Sequence, residues 1–81
     1  MAEAIHVPRI NNNDDEVKLV GLAVAVGGQV AKGQIIAQVE TDKAVVDVEA
    51  NADGYVLAVF GAVGDVVKVG GVLIWLGSTK D

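Results

Sequence analysis

Glu40-Thr41-Asp42-Lys43-Ala44 interrupts two apolar runs near the middle of an 81-residue chain. Ile35 to Glu40 precedes it and Ala44 to Glu49 follows it. Both read as β-strands, because valine and isoleucine dominate and polar residues alternate with them. Asp42-Lys43 is then a short polar break, the tip of a hairpin. Such a tip lifts one amine clear of the sheet, where another protein can reach it. A lysine presented this way suggests a residue that is modified, in a domain that carries something. The plain alternative is a solvated turn lysine with no further role.

The pattern continues on either side. Short apolar segments alternate with Gly27-Gly28, Gly33, Asp53-Gly54, Gly64-Asp65 and Gly70-Gly71, a spacing that favours an all-β sandwich or barrel. Strands are expected at about residues 3–7, 16–26, 29–31, 35–40, 44–49, 54–61, 66–68 and 72–77. Displacing the sequence by 37 positions lays Gly27 on Gly64, Val30 on Val67 and Gly33 on Gly70. The same shift lays Ile35, Ile36 and Val39 on Val72, Leu73 and Leu76. Two copies of one unit imply a pseudo-twofold sandwich, since a solenoid needs at least three. Lys43 then corresponds to Lys80, and the chain ends should lie far from the central hairpin. The glycines read as turn residues that adopt positive φ without steric cost. A phosphate cradle is not indicated, because neither a GxGxxG run nor a P-loop signature occurs.

Composition narrows the function classes. The length suits a single domain spanning residues 1–81, with its core at about residues 5–77. Eleven acidic and six basic side chains give a net charge of −5, which argues against a nucleic-acid partner. There is no cysteine, so disulfides, thiolate nucleophiles and cysteine-ligated zinc are excluded. The opening residues lack a basic region followed by an apolar stretch, so no signal peptide is expected. The longest nearly apolar run, Tyr55 to Val63, is too short to cross a bilayer. The lack of cysteine suits a reducing compartment, and no membrane partner is expected.

Other chemistry-bearing residues read plainly. Glu40, Asp47 and Glu49 alternate with apolar neighbours and belong on a solvent face. His6 sits between Ile5 and Val7 and should point outward, with no companion for a metal site. Asp14-Asp15-Glu16 reads as a solvated loop face. Trp75 is expected to be buried against the small core. Ser78 and Thr79 have no base beside them, so no nucleophile–base set can be assembled and no catalytic role is assigned.

Glu40-Thr41-Asp42-Lys43-Ala44 closely resembles the lipoyl-lysine motif of lipoyl domains, the swinging-arm carriers of 2-oxo acid dehydrogenase complexes. The likeness covers about residues 5–77. Ile5-His6-Val7-Pro8 resembles the family's first strand, and Gly27 to Gly33 its glycine turn and short strand. Ala52-Asp53-Gly54-Tyr55-Val56 and Gly64-Asp65-Val66-Val67-Lys68-Val69-Gly70 resemble the later turns. The related biotinyl domains usually flank their lysine with methionines. Here the flanks are Asp42 and Ala44, and the sole methionine is Met1.

The chain also departs from the family. Asn11-Asn12-Asn13-Asp14-Asp15 replaces a Gly-Glu-Gly-like stretch, and this loop lies near the lipoyl-lysine in relatives. Leu22 stands for a usual aromatic, Gly28 for an acidic residue, and Glu49-Ala50-Asn51-Ala52 for a proline-containing segment.

The resemblance implies a flattened β-barrel or sandwich of two four-stranded antiparallel sheets, related by a pseudo-twofold axis. It implies lipoate joined covalently to Lys43, with Asp42 touching the modifying enzyme. It implies a non-catalytic carrier, belonging to the acyltransferase component of such a complex or free-standing. It implies a cytoplasmic location, or the mitochondrial matrix in a eukaryote. The partners it implies are a lipoate ligase or lipoyl transferase, a thiamine-dependent 2-oxo acid dehydrogenase, an acyltransferase catalytic domain and dihydrolipoamide dehydrogenase. The competing readings are a biotinyl carrier and an unmodified hairpin domain that only mediates interactions.

Overall fold

Each apolar run of the sequence becomes a strand in the computed structural model, which describes residues 2–78. The strands are β1 (Glu3–His6), β2 (Glu16–Leu22), β3 (Gln29–Val30), β4 (Ile35–Glu40), β5 (Val45–Glu49), β6 (Gly54–Val59), β7 (Val66–Lys68) and β8 (Val72–Gly77). Among the described residues there is no helix, as the abundance of β-branched side chains and glycine leads one to expect.

The strands form two four-stranded sheets with every pair antiparallel. One sheet runs β1-β8-β6-β3, here the terminal sheet. The other runs β5-β4-β2-β7, the hairpin sheet. They face each other as a flattened sandwich and do not close into one barrel. The molecule is drawn out along one axis, with extents of 37 × 20 × 18 Å.

The pseudo-twofold relation holds bond by bond. Gly27 donates its N–H to the Val56 carbonyl at 2.8 Å, and Gly64 donates to the Leu19 carbonyl at 2.7 Å. The second bond is the first displaced by 37 positions, with donor half and acceptor half exchanged. Ala23 to Ile36 and Phe60 to Leu73 form a second matching pair. Gly33 and Gly70 share a φ of 86°, with open space where a Cβ would stand. Backbone conformation, not crowding, therefore favours glycine at both places.

The unit β2–β5 supplies three strands to the hairpin sheet and the short β3 to the terminal one, while β6–β8 together with β1 supply three to the terminal sheet and the short β7 to the hairpin one. β3 crosses to the terminal sheet, and β7 crosses to the hairpin sheet. The core fills the space between the sheets and follows the same relation. Leu19, Ile36 and Val39 are fully buried, and so are their counterparts Val56, Leu73 and Leu76. Among the described residues no polar or charged side chain is buried, so the interior holds together by apolar contact.

Two strand expectations run too long. β2 stops at Leu22 instead of residue 26, and β6 stops at Val59 instead of residue 61. In both places the chain drops out of strand pairing as it leaves one sheet for the other, and at Val26-Gly27 it already turns. Ala23 still bonds to its own sheet, and four residues later Gly27 bonds to the opposite one. Trp75 also differs from expectation. It is half-buried on the outer face of the terminal sheet, level with Ala4 and Ala58, while Ile74 and Leu76 on either side enter the core.

Candidate functional site

The β4–β5 hairpin owes its register to alternation. Val39 and Val48 turn inward, while Glu40, Gln38, Asp47 and Glu49 are exposed. Slipping the pairing by one residue would bury those polar side chains and expose the valines. Gln38 Nε2 also donates to Asp47 Oδ1 at 2.9 Å, a cross-strand link on the outer face.

That register carries Lys43 to the tip. Glu40 pairs with Val45, and the four residues between them form the turn. Asp42, Lys43 and Ala44 are exposed, and Thr41 is half-buried. Thr41 N–H donates to the Ala44 carbonyl at 2.9 Å. The Thr41 hydroxyl oxygen accepts the N–H of Lys43 at 3.2 Å and that of Ala44 at 3.3 Å. Among the described residues, the Lys43 amine has no hydrogen bond or ion pair. It is a free primary amine on a backbone held from below, and so it is open to acylation.

The surroundings of the tip follow from the sheet. Lys18 of β2 lies opposite Glu40, so β2 begins at the hairpin end. The loop Asn11 to Asp15 leads straight into β2 and lies at that same end. It is tied together: Asn11 Oδ1 accepts the N–H groups of Asn13 and Asp14, both at 3.0 Å. Asn11 Nδ2 donates to Asp14 Oδ2 at 2.7 Å. Arg9 donates to the Asp14 carbonyl at 3.2 Å and pairs with Asp15 at 3.4 Å. That ion pair is solvated and adds little stability. The bonding makes the loop a shaped surface, with an open depression beside it lined by Asn13, Asp14, Asp15, Glu16, Lys68 and Val69.

The other end of the molecule receives the ends of β1 and β8. Glu3 pairs with Leu76, and Asn51 Nδ2 donates to the Ala4 carbonyl at 3.2 Å, beyond the far end of β5. Six residues of β4 separate that end from the hairpin, about 20 Å at 3.3 Å per residue. Lys80, the counterpart of Lys43, lies outside the described residues.

His6 is exposed and bonds through Nδ1 to the Gly70 carbonyl at 2.9 Å, so this nitrogen carries the proton. No three His, Asp or Glu side chains among the described residues could hold a metal ion. The bonding roles of Thr41, Asn11 and Arg9 emerge only from the structure. A hydroxyl residue two and three positions before the N–H groups of a tight turn is a recognisable signal for Thr41, once the turn is placed.

A family model described as "Biotin-requiring enzyme", the biotin/lipoyl group, matches residues 3–76. The chain is 43% identical over 72 residues to the lipoamide acyltransferase component of the branched-chain alpha-keto acid dehydrogenase complex of Pseudomonas aeruginosa. That match covers 89% of this chain and 17% of the relative. Identity is 35% over 77 residues to acetyltransferase component 5 of the chloroplastic pyruvate dehydrogenase complex of Arabidopsis thaliana, covering 95% and 17%. The chain thus spans about a sixth of the length of these relatives.

Among solved structures, the lipoyl domain of the 2-oxoglutarate dehydrogenase complex of Azotobacter vinelandii superposes with a TM-score of 0.73 at 27% identity. This superposition covers 94% of this chain and 99% of that one. Kluyveromyces lactis urea carboxylase superposes with a TM-score of 0.78 over 95% of this chain and 6% of its own, at 22% identity. At that identity the second likeness speaks for the fold alone.

Proposed function

The chain belongs to the biotin/lipoyl domain family, and on that footing we propose that it is a lipoate carrier with Lys43 as its attachment point. The observation that carries the reading is the tip itself. An exposed, unpaired lysine stands between Asp42 and Ala44 on a hairpin held by its own backbone. The absence of flanking methionines favours lipoate over biotin, and so do the relatives' names.

The chain's own residues do three things in this scheme. The neutral Lys43 amine attacks an activated lipoyl carboxyl, the bond to the leaving group breaks, and the amine's proton goes to solvent. The amide so formed makes the net charge of −5 one unit more negative. The two sheets hold the attachment point rigid, so that mobility resides in the arm. Tethering then raises the local concentration of the carried group at each partner's active site. A lipoyl group bound there supplies disulfide redox and acyl-transfer chemistry, and the chain need not be catalytic.

The partners proposed are the modifying ligase or transferase, a thiamine-dependent 2-oxo acid dehydrogenase, an acyltransferase catalytic domain and dihydrolipoamide dehydrogenase. The acyltransferase component of such a complex is the proposed parent. The loop Asn11 to Asp15, beside the hairpin, is the surface proposed to tune which dehydrogenase is served.

Intact mass after coexpression with a lipoate ligase and added lipoate tests the reading. A gain of about 188 Da is expected, against about 226 Da for biotin and none for an unmodified domain. Peptide mapping should place the adduct on Lys43. A gain of the biotinyl mass, an adduct on another lysine, or no adduct would each reject it.

A further inference from the structure

We propose that Thr41 is a positioning residue for the acceptor amine, and that its hydroxyl sets how well a lipoate-transferring enzyme engages Lys43. The inference rests on the carrier reading above and adds a residue to it.

In a four-residue turn, the N–H of the last residue ordinarily finds the carbonyl of the first. Here the Ala44 N–H goes instead to the Thr41 hydroxyl, and the Lys43 N–H converges on the same oxygen. The Thr41 N–H closes the ring to the Ala44 carbonyl. Two peptide planes at the tip therefore take their orientation from one side-chain oxygen. Packing cannot supply it, since Asp42, Lys43 and Ala44 are all exposed. No other side chain among the described residues bonds to this backbone. Threonine suits the task because branching at Cβ restricts its first side-chain torsion, so the acceptor stays in place.

Removing the hydroxyl leaves two N–H groups facing water, which can satisfy them. Stability is therefore little affected, while the direction of the Lys43 Cα–Cβ bond is set free. A residue that only filled space would behave otherwise, because valine in its place keeps the shape and loses only the acceptor.

The test compares the parent protein with Thr41→Val and Thr41→Ser, all carrying Lys43. Lipoate ligase, lipoate and ATP are supplied, and kcat/KM for the protein is measured. Amide exchange at Lys43 and Ala44 is followed by NMR. A small acylating reagent, which needs no docking, reports the intrinsic reactivity of the Lys43 amine. Thr41→Val is expected to speed amide exchange at both residues and lower kcat/KM about tenfold, the size of one hydrogen bond. Thr41→Ser should return both to within about threefold of the parent, and the small reagent should treat all three alike within about twofold. Ligation of Thr41→Val at the parent's kcat/KM overturns the proposal. So does a failure of serine to rescue, or a loss of small-reagent reactivity in step with the loss of ligation. A parent protein that takes no lipoate on Lys43 overturns the carrier reading instead, and does so before any variant is compared.

Discussion

Gly54 of β6 and Gly77 of β8 approach so closely that a Cβ on Gly54 would stand 2.7 Å from the Gly77 carbonyl oxygen. The strands meet here because Tyr55 pairs with Gly77 while Gly54 pairs with Val30 of β3 on the other side. Gly77 is confined too, since a Cβ there would meet Leu57 Cδ1 at 2.5 Å. The crowding sits on β6, between β8 and β3 in the terminal sheet.

Gly54→Ala should therefore lower stability by about 1–3 kcal/mol through a backbone shift at β6. Urea denaturation should show a lower midpoint with an unchanged slope. A midpoint equal to the parent's would mean that β6 absorbs the methyl group without strain.

Lys43→Ala should abolish the mass gain and leave the fold intact. The Lys43 side chain is exposed and unpaired among the described residues, so stability should change by no more than about 0.5 kcal/mol. Melting curves and intact mass on the same preparations check both halves of the statement.

Exchanging the two tip residues, Asp42→Lys together with Lys43→Asp, keeps composition and charge but moves the amine by one position. The amine then leaves the residue whose N–H the Thr41 hydroxyl accepts and points elsewhere. Lipoylation should fall sharply while the melting temperature holds. Equal ligation rates for the exchanged and parent proteins would show that amino-acid type alone suffices.

Asn11→Ala should loosen the loop beside the hairpin. It removes the acceptor for Asn13 and Asp14 N–H groups and the donor to Asp14 Oδ2. The loop is exposed enough for water to replace these bonds, so the stability loss should be about 1 kcal/mol. Reductive acylation of the lipoylated variant by a 2-oxo acid dehydrogenase should change at equal occupancy. A loss of several kcal/mol with unaltered acylation would make the loop a structural strut.

The strands were legible where alternation was bounded by glycine or a charge, as at Ile35–Glu40 and Val66–Lys68. Residues 23–26 and 60–61 misled because a crossover between sheets is as apolar as the strand it leaves. Trp75 misled because size and apolarity do not by themselves bring burial. The internal repeat held the better clue: Trp75 falls on Gln38, an exposed residue on the outer face of the other sheet. The exposed hairpin position of Lys43 was readable, since two polar residues between valine-rich runs leave the strands no way to continue except by reversing. Thr41 was not, because a capping hydroxyl differs from an ordinary strand-end threonine only in geometry.

The lending of β3 and β7 between halves has a consequence for how the protein comes to be. Neither half can complete a sheet by itself, so local segments gain little until distant ones arrive. Loop closure must precede most of the stabilising contacts, which predicts slow, all-or-none folding for so short a chain. The same exchange can occur between two molecules, each lending β3 to the other's terminal sheet, and such a swapped dimer would bury the same contacts as the monomer. Refolding at high protein concentration is therefore the condition under which this domain is expected to lose its independence.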